Sequence, residues 1–279
     1  MRIFVLGNGQ RRGVPEAANS LLPLLREYCE VVAVDLTQQL DLSRYEAEIA
    51  LVLGGDGSIL RAARQMAYRQ IPVLGINLGK LGFLADLGLE EARQYLPRLV
   101  CCEFGVTKHL MYECTVEGPR GSRTFLGLNE IVLRTGPPFH LIDIDLAIDG
   151  EQVATFSGDG VILSTPVGST AQSLSAGGPI LRQGLQAFVI TPFSPHTLTY
   201  RPLVDGADRL YTLKIRHCRD GVTLIVDGQD QVAVTLEERI IVRRAPVEFQ
   251  LIKVHGKSYY QTIRDKLHWG SPPGYRDEP

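Results

Sequence analysis

Over the first hundred residues the apolar positions fall in short unbroken runs. RIFVL at 2–6, VVAVDL at 31–36, IALVL at 49–53 and IPVLGI at 71–76 are partly β-branched and bounded by glycine or polar residues, as in strands buried on both faces of a parallel sheet. Between and after them, apolar positions recur at helical spacing from Glu16 to Cys29, Ser58 to Arg64 and Glu90 to Leu99. Strand and helix in alternation predict a doubly wound, Rossmann-like α/β domain.

From Met111 the pattern changes. YECTVEG at 112–118, FLGLNEIVLR at 125–134, LIDIDLAIDG at 141–150 and QVATFSGDGVILST at 152–165 alternate apolar and polar residues between turn signals, the pattern of antiparallel strands. The alternation continues without a long helix to about Ile252. This predicts a β-rich, β-sandwich-like domain over 106–252, with the boundary near Gly105. Tyr259, Ile263 and Leu267 with charges between them predict an amphipathic helix over Ser258–Trp269, whose apolar stripe either domain could cover.

A chain of 279 residues is long enough for two such domains, each with its own core. The net charge of -2 provides no basic field for nucleic acid, so an anionic ligand must be held by local geometry. Cys29, Cys101, Cys102, Cys114 and Cys218 are odd in number and lack metal-like spacing, and no cleavable apolar leader follows Met1; a reduced, cytoplasmic setting is expected. No apolar run has the length of a membrane span. The histidines show no HxxxH spacing and no serine sits in a GxSxG elbow, so neither a zinc site nor a hydrolase nucleophile is expected.

The chemistry concentrates at turns. LVLGGDGSIL, residues 51–60, runs from a strand through Gly54, Gly55, Asp56 and Gly57 into a helix. Glycines let backbone N–H groups approach a phosphate, and the helix start adds partial positive charge. A carboxylate at that point must accept a proton, assist a magnesium ion or cap the helix. The loop from Asn77 to Phe83 follows the next strand and is expected at the same sheet edge. Gly7, Gly9 and Gly13 with Asp35 imitate a dinucleotide fingerprint, but the spacing is GxGxxxG and Pro15 is expected to delay the helix. In the second half, Asn129 and Glu130 interrupt an apolar strand, as the solvated face of an edge strand would. Residues 157–179 are dense in small hydroxyl and glycine residues that suit a sugar, phosphate or carboxamide. Val226–Gln229 reads as a hairpin turn.

These segments together resemble the ATP-dependent NAD kinases. GGDG at Gly54–Gly57, NxGxLGFL at Asn77–Leu84, NE at Asn129–Glu130, GDGVILSTPVGSTA through SAGGP, SPHTL at Ser194–Leu198 with Arg201 and Pro202, and DGQ at Asp227–Gln229 occur in that family's order. The resemblance covers nearly the whole chain. It implies that Asp56 is the catalytic base and contacts the adenosine ribose of NAD, with Gly54, Gly55 and Gly57 facing phosphates. It places Asn77, Phe83, Asn129 and Glu130 among the nucleotide-binding residues, Asp159 near the nicotinamide end and Thr170, Ala171, Gln172, Ser173, Leu174 and Ser175 on the adenine side. Gln229, His140 and Ser157 complete the implied pocket. The substrates implied are NAD and ATP, with Mg²⁺ travelling on the nucleotide rather than in a dedicated metal site, and no nucleic-acid or membrane partner. The family's architecture also implies that 253–279 packs back on 1–105 and that the protein is a homodimer or homotetramer. Three positions depart from the usual motifs: Ser58 stands for threonine and keeps the hydroxyl, Val167 stands for threonine, and Gln172 stands for tyrosine, which removes a stacking contact worth about 1 kcal/mol in comparable aromatic pairs. A lipid kinase sharing the GGDG turn, a non-catalytic dinucleotide sensor and a dehydrogenase built on Gly7, Gly9, Gly13 and Asp35 are the rival readings.

Overall fold

The computed structural model describes residues 1–279 apart from 80, 81, 86, 138, 139, 220, 255–257 and 271–279. Lys80 and Leu81 of the second glycine loop, and the tail beyond Gly270, therefore lie outside the described residues. The chain forms two compact units, one of residues 1–59, 72–107 and 251–279, the other of 60–71 and 108–250.

The first unit contains β1 (Arg2–Gly7), α1 (Val14–Tyr28), β2 (Glu30–Asp35), β3 (Ile49–Leu53), the start of α2 (Asp56–Gln65), β4 (Val73–Asn77), the two-residue β5 (Leu87–Gly88) and α3 (Leu89–Val100). Strand order is β2-β1-β3-β4, all parallel, with β5 beside β4. Every residue of β3 and β4 is buried, which explains their unbroken apolar runs. Ala17, Ala18, Leu21 and Leu25 form the buried stripe of α1, packing in one cluster with Ile3, Val5, Leu51 and Leu96.

Pro15 does not delay α1. It lies in the helix's first turn, behind Gly13 at φ 86°, where its missing N–H has no helical partner to lose. Asp35 is buried, and its carboxylate accepts from the N–H groups of Thr37, Gln38 and Leu40 at 2.8–2.9 Å. That carboxylate shapes its own turn, which removes the acidic residue the dehydrogenase reading required.

The second unit is built from most of β6 (Gly105–Gly118), β7 (Gly121–Gly127), β8 (Glu130–Thr135), β9 (Ile142–Ile148), β10 (Glu151–Gly158), β11 (Gly160–Ser164), a short α4 (Gln172–Ser175), β12 (Ala187–Phe193), β13 (Leu203–Gly206), β14 (Tyr211–His217), β15 (Val222–Val226), β16 (Asp230–Val234) and most of β17 (Arg239–Lys253). One antiparallel sheet runs β13-β12-β11-β8-β15-β16. The other runs β10-β9-β14-β17, with β6 joined to β17 and β7. Alternate residues from both sheets, among them Ile131, Leu133, Leu163, Ile144, Leu213 and Val242, form one core, as the period of two requires. Phe188 and Tyr211 meet edge to face at 5.5 Å.

Near its end β17 enters the first unit, where Leu251 pairs with Val73 of β4. The last helix, α5 (Tyr259–Leu267), belongs to the same unit and begins at Ser258, whose hydroxyl accepts from the Gln261 N–H at 3.1 Å. Among the described residues no helix is long and apolar enough to cross a membrane.

Candidate active site

The glycine turn of the first unit is organised by one carboxylate. Asp56 is the first residue of α2, but its side chain does not cap that helix. Oδ2 accepts from Phe83 N–H at 2.7 Å, and Oδ1 accepts from Leu84 and Ala85 N–H at 3.0 Å each. The fit admits no side chain at two glycines. A Cβ on Gly82 would overlap Asp56 Oδ1, and one on Gly54, at φ 130°, would overlap the Ser58 hydroxyl. Asn77 fixes the second loop from within, donating from Nδ2 to Ala85 C=O at 3.2 Å and accepting Gly79 N–H at 2.8 Å. Asp56, Gly54, Gly55, Gly57, Asn77 and Phe83 are thus assembled around one turn.

In the second unit the organising carboxylate is Asp227, whose local sequence predicts a hairpin turn and no buried acceptor. It is buried at the β15–β16 hairpin, at φ 49° followed by Gly228 at φ 66°. It accepts from the N–H groups of Leu128 (2.8 Å), Asn129 (2.8 Å) and Glu130 (3.1 Å) and from the Tyr112 hydroxyl (3.0 Å). The single Tyr112 hydroxyl proton is shared between Asp227 and the nearer Glu130 C=O, at 2.7 Å. From the other side the STP segment grips the same backbone: Thr165 N–H donates to Asn129 C=O at 2.8 Å, and Thr165 Oγ1 to Leu128 C=O at 2.6 Å. A Cβ on Gly168 would overlap that Asn129 carbonyl.

Asn129 and Glu130 are therefore not on an edge. Glu130 opens β8, which lies between β11 and β15, and it is 2% exposed. Asn129 Oδ1 and Glu130 Oε2 are buried without a hydrogen-bond partner among the described residues. Burial, and then the charge of Asp227, push the Glu130 carboxyl up to about 8.

The other expected residues vary in setting. Gln229 closes the hairpin by donating N–H to Val226 C=O at 2.9 Å, and its side chain accepts from Arg64 at 3.3 Å; Arg64 also pairs with Asp230. Asp159 N–H donates to Phe193 C=O at 3.1 Å, leaving its carboxylate half exposed at the β10–β11 junction. Ser157 donates to Asp143. Thr170 donates to Val167 C=O at 3.1 Å. Ser173 is buried with its hydroxyl on Thr191 at 2.9 Å, a structural commitment within α4. Ala171 and Leu174 are half-buried, Ser175 is exposed and His140 is half-buried.

A carboxyl raised in this way has a pH signature. Below its folded value the native Glu130 keeps a proton that the unfolded chain releases near pH 4.3, so native stability falls as pH rises from about 4 to about 8. Tm is expected to fall more steeply over that window in the wild type than in Glu130→Gln, which cannot ionise. Equal slopes would show that Glu130 does not titrate abnormally.

The comparisons with known proteins agree along the chain. Residues 27–104 match the ATP-NAD kinase N-terminal domain and 128–254 the ATP-NAD kinase C-terminal domain. The chain is 45% identical to an NAD kinase of Rhodopirellula baltica, over 96% of this chain and 86% of that one, and 37% identical to an NAD kinase of Geotalea daltonii, over 91% and 90%. A crystal structure of an Archaeoglobus fulgidus NAD kinase in complex with ATP superimposes with a TM-score of 0.75 at 25% identity, covering 96% of this chain and 99% of that one. Yeast NADH kinase complexed with NADH shares the fold, with a TM-score of 0.88 at 24% identity over 98% and 88%. With both domain models matched in order and close relatives aligned over nearly its full length, the chain belongs to the ATP-NAD kinase family.

Proposed function

We propose that this NAD kinase performs its transfer at Asp56. The 2′-hydroxyl oxygen of the adenosine ribose of NAD bonds to the γ-phosphorus of ATP, the bond from that phosphorus to the β–γ bridging oxygen breaks, and the hydroxyl proton passes to the Asp56 carboxylate. ADP and NADP leave. The observation that carries this reading is the clamp on Asp56: three backbone N–H groups take three of a carboxylate's roughly four acceptor sites and fix its orientation. In a loose phosphoryl-transfer transition state, such positioning matters more than a strong base. Gly54, Gly55 and Gly57 permit close approach of the phosphates.

NAD is held, in this reading, by Asn129, Glu130, His140, Ser157, Asp159, Thr170, Ala171, Gln172, Ser173, Leu174, Ser175 and Gln229, and the same family resemblance assigns Asn77 and Phe83 to nucleotide binding. Support comes from the buried, unpartnered oxygens of Asn129 and Glu130, which are costly to keep without a polar ligand. A protonated Glu130 also adds a hydrogen-bond donor for a hydroxyl or amide acceptor.

The donor set fits a magnesium ion that arrives on the triphosphate. Among the described residues no cluster of three or more His, Cys, Asp or Glu could cage a metal, and Asp56 is the single carboxylate in the glycine turn, which suits a cation held mainly by phosphate oxygens. When bound, Mg²⁺ neutralises charge on the β- and γ-phosphates. Residence in the cytoplasm and assembly as a homodimer or homotetramer complete the proposal, the latter testable by sedimentation velocity.

The chemical test is phosphorus NMR of the product made from NAD, ATP and Mg²⁺. A new monoester on the adenosine 2′-position is expected, abolished by EDTA. A phosphate elsewhere, or transfer to diacylglycerol vesicles instead of NAD, would contradict the reading.

A further inference from the structure

We propose that Lys266, on the C-terminal helix, is a donor-binding residue of the phosphoryl-transfer site, its ammonium group contacting the polyphosphate chain of the nucleoside triphosphate. The proposal rests on the reading of Asp56 given above and adds a cation that no motif supplied.

Lys266 Nζ stands 4.6 Å from the centroid of the Phe83 ring, and the N–H of that same Phe83 donates to Asp56 Oδ2. Helix, ring and carboxylate all belong to the first unit. α5 is seated by Thr262 and Ile263, both buried, each about one turn before Lys266, so the lysine position is set by packing. The ammonium is half-buried and has neither an ion pair nor a hydrogen bond among the described residues. An aromatic face occupies one side of such a group and leaves the N–H donors on its other side available.

A positive side chain at this place favours the incoming triphosphate beyond what a nucleotide-borne Mg²⁺ supplies. Asp56 puts a negative charge in the turn where a triphosphate carrying about four negative charges must come, and the glycine N–H groups contribute only partial charges. Arg11 is the other neighbour: its guanidinium lies 3.9–4.0 Å from where Cβ atoms on Gly55 and Gly57 would stand. It is exposed, whereas Lys266 is sheltered, and charge near a phosphate acts more strongly where water is partly excluded. Burial lowers the Lys266 ammonium from its ordinary value, and the charge of Asp56 offsets part of that.

The test compares the full-length wild type, Lys266→Met and Lys266→Arg, with Tm confirming that each is folded. ATP binding is measured by calorimetry with Mg²⁺ and no NAD, and KM is measured separately for ATP and NAD. Lys266→Met is expected to weaken ATP binding and raise KM for ATP by about tenfold, as loss of a charge-assisted phosphate contact does, with KM for NAD changed less than about twofold. Lys266→Arg should restore most of the ATP affinity. Unchanged ATP affinity in Lys266→Met overturns the proposal, as does a fall in kcat alone, which would mean that the lysine only steadies Phe83. Calorimetry reads ATP directly, so a wild type that binds ATP but makes no NADP would count against the Asp56 reading and not against Lys266.

Discussion

Asp56→Asn is expected to lower kcat by about 10²-fold or more, the usual scale for loss of a positioned proton acceptor. The amide cannot take the proton of the ribose hydroxyl. It also fits the clamp poorly: with Oδ1 kept on the N–H groups of Leu84 and Ala85, the Nδ2 amide group faces the N–H of Phe83, donor against donor. One buried pairing is lost, at about 1–3 kcal/mol, so Tm should fall by a few degrees while the fold persists. Apart from Phe83, the residues proposed to hold NAD are untouched, and KM for NAD should stay within a fewfold of wild type. Full turnover in the variant would remove Asp56 from the mechanism.

Asp227→Ala is expected to produce the largest loss of stability, about 3–5 kcal/mol in urea denaturation of the second unit, the scale for removing one partner from a buried charged network. Three backbone N–H groups and the Tyr112 hydroxyl converge on this carboxylate, and alanine leaves all of them without it. NAD affinity should fall with stability, because Asp227 fixes the backbone that carries Asn129 and Glu130. Asp227→Asn keeps one acceptor oxygen and should cost less. The same variant removes the second cause of the raised Glu130 carboxyl, so the pH dependence of Tm should flatten. A destabilisation below about 1 kcal/mol, within the range of ordinary surface substitutions, would refute the role given to Asp227.

The parallel sheet was legible because β3 and β4 are buried on both faces and so read as unbroken apolar runs. The sandwich was legible because its two sheets each bury one face and alternate. What the local pattern could not supply was the partner of a polar residue. Asn129 and Glu130 read as a solvated edge because the carboxylate that organises them is 97–98 residues downstream, and polarity alone does not distinguish water from a buried acceptor. Asp56 read equally well as a cap until its donors, 27–29 residues away, were placed. Lys266 sat in a recognisable amphipathic helix, but an apolar stripe does not state which loop it covers. The glycines and NE pair became a site through their shared order with a family, not through any one of them.

The most direct test of the account is NADP formation from NAD, ATP and Mg²⁺, followed with an NADP-specific dehydrogenase for wild type and Asp56→Asn side by side. Steady product from the wild type and a rate lower by about 10² or more in the variant is the predicted result. Tight NAD binding with no NADP from the wild type, or equal rates from both proteins, would contradict it.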